Sequence, residues 1–138
     1  LLNGNDIDIY EDGKESRDFV FIDDVVDATI LALEKEEANY QIFNVGSGVA
    51  TTVNEVANSL KSLYDSDVKI NISGKYRLGD IRHNYADLSK IRNALGFTPK
   101  FDFLSGITSF VNWVKTQEVM EDKYEISIEE LKNKGLIK

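Results

Sequence analysis

The chain has 138 residues, of which 42% are hydrophobic, so it is long enough for one domain with a modest core. It contains no cysteine and one histidine, which excludes disulfides, thiolate metal sites and histidine-cluster metal sites. Its 24 acidic and 16 basic residues give a net charge of −8, which disfavours binding to nucleic acid or to anionic membranes. No apolar run in the sequence is long enough to span a bilayer.

Four segments have the residue pattern of strands. Polar and apolar residues alternate in the first and the last of them. The second and third are apolar on both faces, as in the covered strands of α/β proteins. Turn residues follow the first strand at Glu11-Asp12-Gly13-Lys14 and the third at Gly46-Ser47-Gly48. The predicted strands cover residues 6–10, 18–22, 40–45 and 68–72.

Apolar residues at helical spacing predict four helices between and after these strands. Thr52 and Glu55 form a capping box, in which two backbone N–H groups are satisfied reciprocally. Aspartates are the expected caps of the other three helices, because a carboxylate accepts the exposed N–H groups of a first turn. The helices cover residues 25–35, 53–63, 88–95 and 103–115, and their caps are Asp23 and Asp24, Thr52, Asp87 and Asp102, respectively. Strands alternating with helices indicate an α/β fold.

The last segment, residues 116–138, is polar and acidic, and we expect it to be a peripheral tail beside a main portion over 1–115. Ser127-Ile128-Glu129-Glu130 is a second capping box, which predicts a short helix, and Gly135 is a suitable stop. The chain starts at a leucine and reads as the middle of a fold, so we expect it to be a fragment of a longer parent protein.

Arg17 stands at the start of the predicted strand over 18–22. A planar guanidinium on a loop beside a rigid strand is well suited to hold a phosphate. From the residues alone, a surface ion pair of Arg17 with Glu15 or Asp18 is the alternative interpretation. The single histidine, His83, is expected to make a hydrogen bond in a loop.

Three motifs of the chain occur in the order found in the nucleotide-sugar epimerases and dehydratases. They begin with Arg17-Asp18-Phe19 and cover residues 17–28, 43–48 and 77–87. The chain therefore resembles the C-terminal, substrate-binding portion of an NAD-dependent enzyme of the extended short-chain dehydrogenase/reductase family, most like UDP-glucose 4-epimerase. The resemblance implies an edge of the Rossmann sheet together with a small substrate-binding lobe.

The resemblance also implies roles for five residues. Arg17 and Arg77 would contact the diphosphate of a nucleotide sugar, and Asp80 would accept hydrogen bonds from its ribose. Tyr10 would pack near the nucleotide base. Asn84 would lie beside the sugar, where its small size leaves room for an N-acetyl group.

Structural alternatives remain open for these residues. Arg77 and Asp80 can form a local ion pair across a turn, Tyr10 can be ordinary edge packing, and Asn84 can hydrogen-bond its own loop. The family has a proline where this chain has Leu78, so the loop around Arg77 is expected to be more mobile.

The cofactor and catalytic signatures of the family are missing from the sequence. NAD binding needs a glycine-rich turn at a helix N-terminus, and no such glycine spacing occurs. Catalysis needs a tyrosine with a lysine four residues later on one helix face, and Tyr10 and Lys14 at this spacing flank a predicted turn. We therefore predict no catalytic, cofactor-binding or metal-binding residue, an inactive fragment, and NAD only in the full-length parent.

The leading hypothesis is the nucleotide-sugar-binding portion of an epimerase or dehydratase of carbohydrate metabolism, most like a sugar 4-epimerase, which is an isomerase. One alternative is a catalytically silent module that binds nucleotide sugars. Another is a structural module whose acidic tail docks a partner. The resemblance implies a nucleoside-diphosphate sugar as ligand, a cytoplasmic location and a homodimeric parent, with no nucleic-acid or membrane partner.

Overall fold

A computed structural model describes residues 1–137 as an α/β chain, which confirms the predicted fold class. The strands are short, while the helices have between two and four turns. In chain order the elements are β1 (Ile7–Ile9), β2 (Ser16–Arg17), α1 (Ile22–Glu34), a 3-10 turn (Glu36–Ala38), β3 (Thr51–Thr52), α2 (Val53–Leu63), β4 (Ile70–Ile72), α3 (Ser89–Leu95), α4 (Phe103–Val114) and α5 (Tyr124–Asn133).

The chain forms two compact units. The first unit contains residues 1–15, residues 52–82 and the chain from residue 111 to the end of the described part. The second unit contains residues 16–51 and 83–110. Within residues 1–137, no helix combines the length and the apolar character needed to cross a bilayer.

The first unit is built on β1 and β4, which pair in parallel with Ile7 opposite Ile70 and Ile9 opposite Ile72. Ile9 is almost fully buried, so the apolar face of β1 points inward. The strands predicted over 6–10 and 68–72 from alternating polar and apolar residues are thus confirmed. The predicted capping box of α2 is also present, with Glu55 N–H donating to Thr52 Oγ1 at 3.2 Å.

The core of the second unit lies between α1 and α3. Its fully buried members are one alanine on α1, three apolar side chains at helical spacing on α3 and its N-cap, and Phe97, which follows α3. The predicted stop of α3 is confirmed, because Gly96 takes a φ of +70° that glycine adopts without strain. The buried core residues are Ala28, Leu88, Ile91, Leu95 and Phe97.

The strand predicted over 18–22 is wrong, because residues 18–21 pair with no strand and α1 already begins at Ile22. The alternating aromatic residues pack instead on two other aromatic rings of the same unit. The ring centroids of Phe19 and Phe103 are 5.5 Å apart, and those of Phe21 and Phe101 are 4.5 Å apart. Phe19 is still 41% exposed and Ile22 63% exposed, so the apolar alternation predicted neither the burial of this segment nor the backbone pairing that defines a strand.

The strand predicted over 40–45 is also wrong. Tyr40 is fully exposed with a φ of +59°, and the side chain of Ile42 is largely exposed. The Ile42 carbonyl accepts a hydrogen bond from Lys90 Nζ at 2.8 Å. A side chain thus takes the place that a neighbouring strand would occupy, and the segment forms a loop.

Two predicted caps are corrected as well. The N-cap of α1 is Phe21, so Asp23 and Asp24 lie within the first turn. Asp24 is buried and accepts the N–H groups of Lys100 at 2.8 Å and Phe101 at 3.2 Å. Its carboxylate therefore joins α1 to the segment before α4 and does not cap its own helix.

The other caps are closer to expectation. Asp102 accepts the N–H of Ser105 at 2.8 Å, as predicted for α4. Asp87 lies one residue before the N-cap of α3, yet it still accepts the N–H of Ser89 at 2.9 Å.

The tail contains the predicted helix, but its start differs from the prediction. It begins at Tyr124, whose N–H donates to Asp122 Oδ1 at 2.8 Å. Ser127 is already inside the helix, so the capping box predicted there is wrong. Gly135 has a φ of +66° just after the helix, in agreement with the predicted stop.

Candidate functional site

A cavity of about 450 Å³ opens in the second unit. Three segments that are distant in sequence form its wall, and each belongs to one of the motifs identified above. The first segment contains Arg17 and Asp18, and the second is the loop over 43–45. The third runs from Asn84 to Ala86.

Arg17 and Asn84, both predicted to bind substrate, line this same cavity. Their segments are connected through Ser16, whose carbonyl accepts the N–H of Asn84 at 3.1 Å. The same carbonyl accepts from Arg17 Nη1 at 2.9 Å. Ser16 Oγ is also 2.9 Å from His83 Nδ1, so the histidine makes the loop hydrogen bond expected of it.

Asp18 accepts hydrogen bonds from the wall segment over 84–86 and from the turn that follows the wall segment over 43–45. Its Oδ1 accepts hydrogen bonds from the backbone N–H of Ser47 at 2.7 Å and from Ser47 Oγ at 2.6 Å. Its Oδ2 accepts the N–H of Gly48 at 2.9 Å and that of Ala86 at 3.1 Å. Burial raises the pKa of Asp18, but these hydrogen bonds outweigh burial and hold its pKa below the usual value.

The turn at Gly46 is fitted tightly around this carboxylate. A Cβ at Gly46 would lie 2.4 Å from Asp18 Oδ2 and 2.7 Å from the Cβ of Ala86. Only glycine leaves enough room here, because real Cβ contacts do not fall below 3.0 Å. The Gly46-Ser47-Gly48 turn therefore directs its N–H groups at a carboxylate of the chain itself.

Tyr10 and Arg77 lie together in the first unit. The guanidinium carbon of Arg77 is 5.0 Å from the centroid of the Tyr10 ring, a cation–π distance. The Tyr10 hydroxyl is 3.4 Å from that of Tyr124, on α5. This hydrogen bond and burial raise the pKa of Tyr124 to about 12.

The loop that carries Arg77 also carries Asp80, whose N–H donates to the Arg77 carbonyl at 3.3 Å and whose side chain is exposed. Leu78 donates its N–H to the carbonyl of Leu136 at 2.9 Å. Proline has no N–H and cannot make this bond. Leucine at position 78 therefore supplies an anchor for a loop that we expected to be more mobile without proline.

A second cavity, of about 560 Å³, lies in the first unit next to Tyr10 and Tyr124. Its wall mixes acidic and basic side chains, and most of it comes from α5. The remaining lining residues are Asp8, Lys75, Glu125, Ile128, Glu129, Lys132 and Asn133.

Arg82, which the sequence analysis did not single out, holds the turn after β1. Its Nη2 is 2.9 and 2.7 Å from the two carboxylate oxygens of Asp12, and its Nη1 is 2.7 Å from Glu11 Oε2. The hydrogen bond from Arg82 lowers the pKa of Asp12, and the same bond raises the pKa of Arg82. Asp18 and Tyr124 were missed as well, because their partners are distant in sequence.

The structure thus brings the five predicted binding residues into two separate groups. Arg17 and Asn84 share the cavity of the second unit, while Tyr10, Arg77 and Asp80 belong to the first unit. The roles assigned to them stay predictions. Among residues 1–137, no group of three or more histidine, aspartate or glutamate side chains is arranged to hold a metal ion.

Comparison with known proteins gives concordant matches. Residues 1–46 match the model of the NAD dependent epimerase/dehydratase family. The dTDP-L-rhamnose 4-epimerase of Burkholderia thailandensis is 37% identical over 108 residues, which cover 78% of this chain and 30% of that protein.

Two solved structures are similar in both sequence and fold. The UDP-glucose 4-epimerase of Thermotoga maritima, solved with UDP-glucose, is 35% identical with a TM-score of 0.76, covering 83% of this chain and 36% of that one. The UDP-N-acetylglucosamine 4-epimerase of Methanobrevibacter ruminantium M1, solved with UDP-N-acetylmuramic acid, is 32% identical with a TM-score of 0.75. The match covers 85% of this chain and 37% of that one.

The chain spans about a third of the length of the curated relatives it matches. Within that third, the motif order, the α/β fold and the similarity to several 4-epimerases agree with one another. The chain therefore belongs to the NAD-dependent epimerase/dehydratase family.

Proposed function

We propose that this chain is the nucleotide-sugar-binding portion of an NAD-dependent sugar 4-epimerase, an isomerase of carbohydrate metabolism. The observation that carries the proposal is that Arg17 and Asn84, from two different motifs, line one cavity. The UDP sugars bound to the similar structures from Thermotoga maritima and Methanobrevibacter ruminantium support the same ligand class.

The proposed division of roles follows the chemistry of the ligand. A diphosphate is held best by guanidinium groups, which form charge-assisted hydrogen bonds, and we assign this role to Arg17 and Arg77. A ribose diol donates hydrogen bonds, and the exposed carboxylate of Asp80 accepts them. Tyr10 is assigned to the nucleotide base, with the Arg77 guanidinium over its ring supporting its orientation.

The residues of this chain do not fit NAD. The glycine turn that comes nearest to a dinucleotide fingerprint is Gly46-Ser47-Gly48, and its N–H groups already donate to Asp18. A Cβ-sized space at Gly46 is filled by that same carboxylate. We therefore assign NAD binding to other parts of the full-length protein and expect this chain alone to be inactive.

The proposal extends to the full-length protein in three further respects. We place it in the cytoplasm and expect a homodimer, both on the family resemblance. We also retain residues 116–138 as a peripheral tail beside the binding portion over 1–115.

A catalytically silent module that binds nucleotide sugars is the competing function. Measurable epimerisation by the full-length protein would favour the 4-epimerase over the silent module.

Asn84 is proposed to set the size of sugar that the cavity accepts. Its backbone N–H donates to the Ser16 carbonyl, and the residue lines the same cavity as Arg17. Asparagine leaves more room at this position than a bulky residue such as tyrosine would. Its amide can also donate to and accept from an acetamido group. We therefore propose that the full-length protein accepts N-acetylated hexoses as well as plain ones.

The phosphate assignment is tested by calorimetry on the full-length protein with UDP and dTDP. Arg17→Ala and Arg77→Ala are each expected to weaken diphosphate binding about ten-fold or more, on the scale of one charge-assisted hydrogen bond. Arg92→Ala, which removes the same charge from an exposed position of α3, is the matched control and should leave affinity unchanged. Unchanged affinity in both Arg17→Ala and Arg77→Ala contradicts the assignment.

The size assignment is tested with Asn84→Tyr on paired UDP-hexoses with and without an N-acetyl group. The substitution should lower kcat/KM for the N-acetylated substrate at least about ten-fold more than for the plain one. An equal loss on both substrates would show that Asn84 supports its loop and does not select the sugar.

A further inference from the structure

The wall of the cavity in the second unit is tied together by one side chain, Asp18. Three of its four hydrogen bonds come from Ser47 and Gly48, in the turn that follows the wall segment over 43–45. The fourth comes from Ala86, in the wall segment over 84–86. A single carboxylate thus connects all three segments that surround the cavity.

Arg17 lies between two residues whose oxygens accept backbone hydrogen bonds from the segment over 84–86, Ser16 and Asp18. On one side, the Ser16 carbonyl accepts the N–H of Asn84 at 3.1 Å. On the other side, Asp18 Oδ2 accepts the N–H of Ala86 at 3.1 Å. The backbone that carries Arg17 is therefore held on both sides against the segment that carries Asn84.

The hydrogen bonds require an ionised carboxylate. The four donors approach both oxygens, and a carboxylate is the side chain whose two oxygens only accept. An amide would direct its own N–H groups at one pair of donors. The donors also stabilise a negative charge that lines the cavity and would otherwise repel a phosphate.

We propose that Asp18 is a positioning residue for diphosphate binding, which acts by fixing Arg17 and Asn84 at the cavity. This inference rests on the proposed function, because it assigns Asp18 a role through Arg17. Asp18 itself does not contact the ligand in this account. Its removal should therefore cancel the contribution of Arg17 to affinity while the Arg17 side chain is still present.

The test is a double-mutant cycle on the full-length protein, with UDP and dTDP affinities measured by calorimetry. Asp18→Ala should weaken diphosphate binding about ten-fold. Adding Arg17→Ala to Asp18→Ala should cost less than about two-fold more, because the two residues act as one unit. Asp18→Asn should weaken binding by a similar factor, because its amide places N–H groups against one pair of the donors.

Asp102→Ala is the matched control. Asp102 also accepts a backbone N–H and a serine hydroxyl within the second unit, both from Ser105, but it does not line the cavity. This variant should bind both diphosphates as the unsubstituted protein does. A loss equal to that of Asp18→Ala would show a general effect on stability and overturn the positioning role.

Amide hydrogen exchange without ligand provides a second readout. Asp18→Ala should speed exchange at Gly48 and Ala86, and Asp102→Ala should not. Unchanged exchange, or additive affinity losses in the cycle, overturns the role of Asp18 alone. If Arg17→Ala leaves diphosphate affinity unchanged, the proposed function fails at Arg17 and the positioning role fails with it.

Discussion

Asp18 and Arg82 both connect distant segments of the chain, but they use different partners. Asp18 is partly buried and accepts hydrogen bonds from the main chain at Ser47, Gly48 and Ala86. Arg82 donates to the side chains of Glu11 and Asp12, and 44% of its own side chain is exposed. Main-chain donors have fixed positions, whereas exposed ion pairs can rearrange and are screened by salt.

This difference shows where the molecule can maintain a defined geometry. The Asp18 network surrounds a cavity and leaves no room for a Cβ at Gly46. The Arg82 cluster holds a surface turn, and within it Glu15 Oε1 is buried without a hydrogen bond, 3.5 Å from Arg82 Nη1. We therefore expect substitutions around Asp18 to have larger effects than substitutions around Arg82.

Gly46→Ala is expected to have the largest effect. The new Cβ would lie 2.4 Å from Asp18 Oδ2, so the turn must shift and the unfolding free energy should fall by about 1–3 kcal/mol. Denaturant unfolding of the full-length protein measures this loss. Gly106→Ala is the control, because its Cβ would lie 3.2 Å from Phe21 Cδ2 and alanine favours helix α4. Equal losses in the two variants would contradict the tight fit at Gly46.

Leu78→Pro should have a smaller, local effect. It removes the N–H that donates to the Leu136 carbonyl at 2.9 Å, a bond worth about 1 kcal/mol. We expect faster amide exchange over α5 and the residues that follow it. Leu78→Ala keeps the N–H and should preserve protection. If both variants exchange alike, the hydrogen bond does not anchor the tail.

Arg82→Gln should have a small effect that depends on salt. The ion pairs with Glu11 and Asp12 are exposed, so the difference in melting temperature from the unsubstituted protein should shrink between about 0.05 M and 1 M NaCl. The loss caused by Asp18→Ala should not shrink in this way. A loss for Arg82→Gln that is constant with salt would mean that the cluster is less exposed than the structure shows.

The smallest effect is expected from the ionisation of Tyr124. Its pKa is raised from 10.0 to about 12, so its contribution to stability is fully present below pH 10 and is lost as the pH rises through about 12. An absorbance titration of the full-length protein should contain a late step near pH 12, and Tyr124→Phe should remove that late step. A late step that persists in Tyr124→Phe would assign it to another tyrosine.

Local features of the fold could be predicted from the sequence, and features that depend on distant partners could not. The capping box of Thr52 and Glu55 lies within four residues, and it forms as expected. The segment over 18–22 has the apolar pattern of a strand, but aromatic packing satisfies it instead. A residue pattern shows which side chains are apolar, but it identifies neither how far they are covered nor the partner of the backbone.

The candidate site shows the same limit. Arg17 could be singled out because its motif is continuous in sequence. Asp18 was considered only as an ion-pair partner of its neighbour, since its actual partners lie 29, 30 and 68 residues away. The one sequence signal for this role of Asp18 is the pair of glycines at 46 and 48. They indicate a tight turn, and the N–H groups of such a turn need an acceptor.

Binding of a nucleotide-sugar diphosphate in the cavity lined by Arg17 can be seen in a crystal structure of the full-length protein with UDP or dTDP. We expect a diphosphate oxygen within about 3.2 Å of an Arg17 guanidinium nitrogen, with the Asp18 hydrogen bonds intact. A diphosphate bound with no oxygen near Arg17 would contradict it.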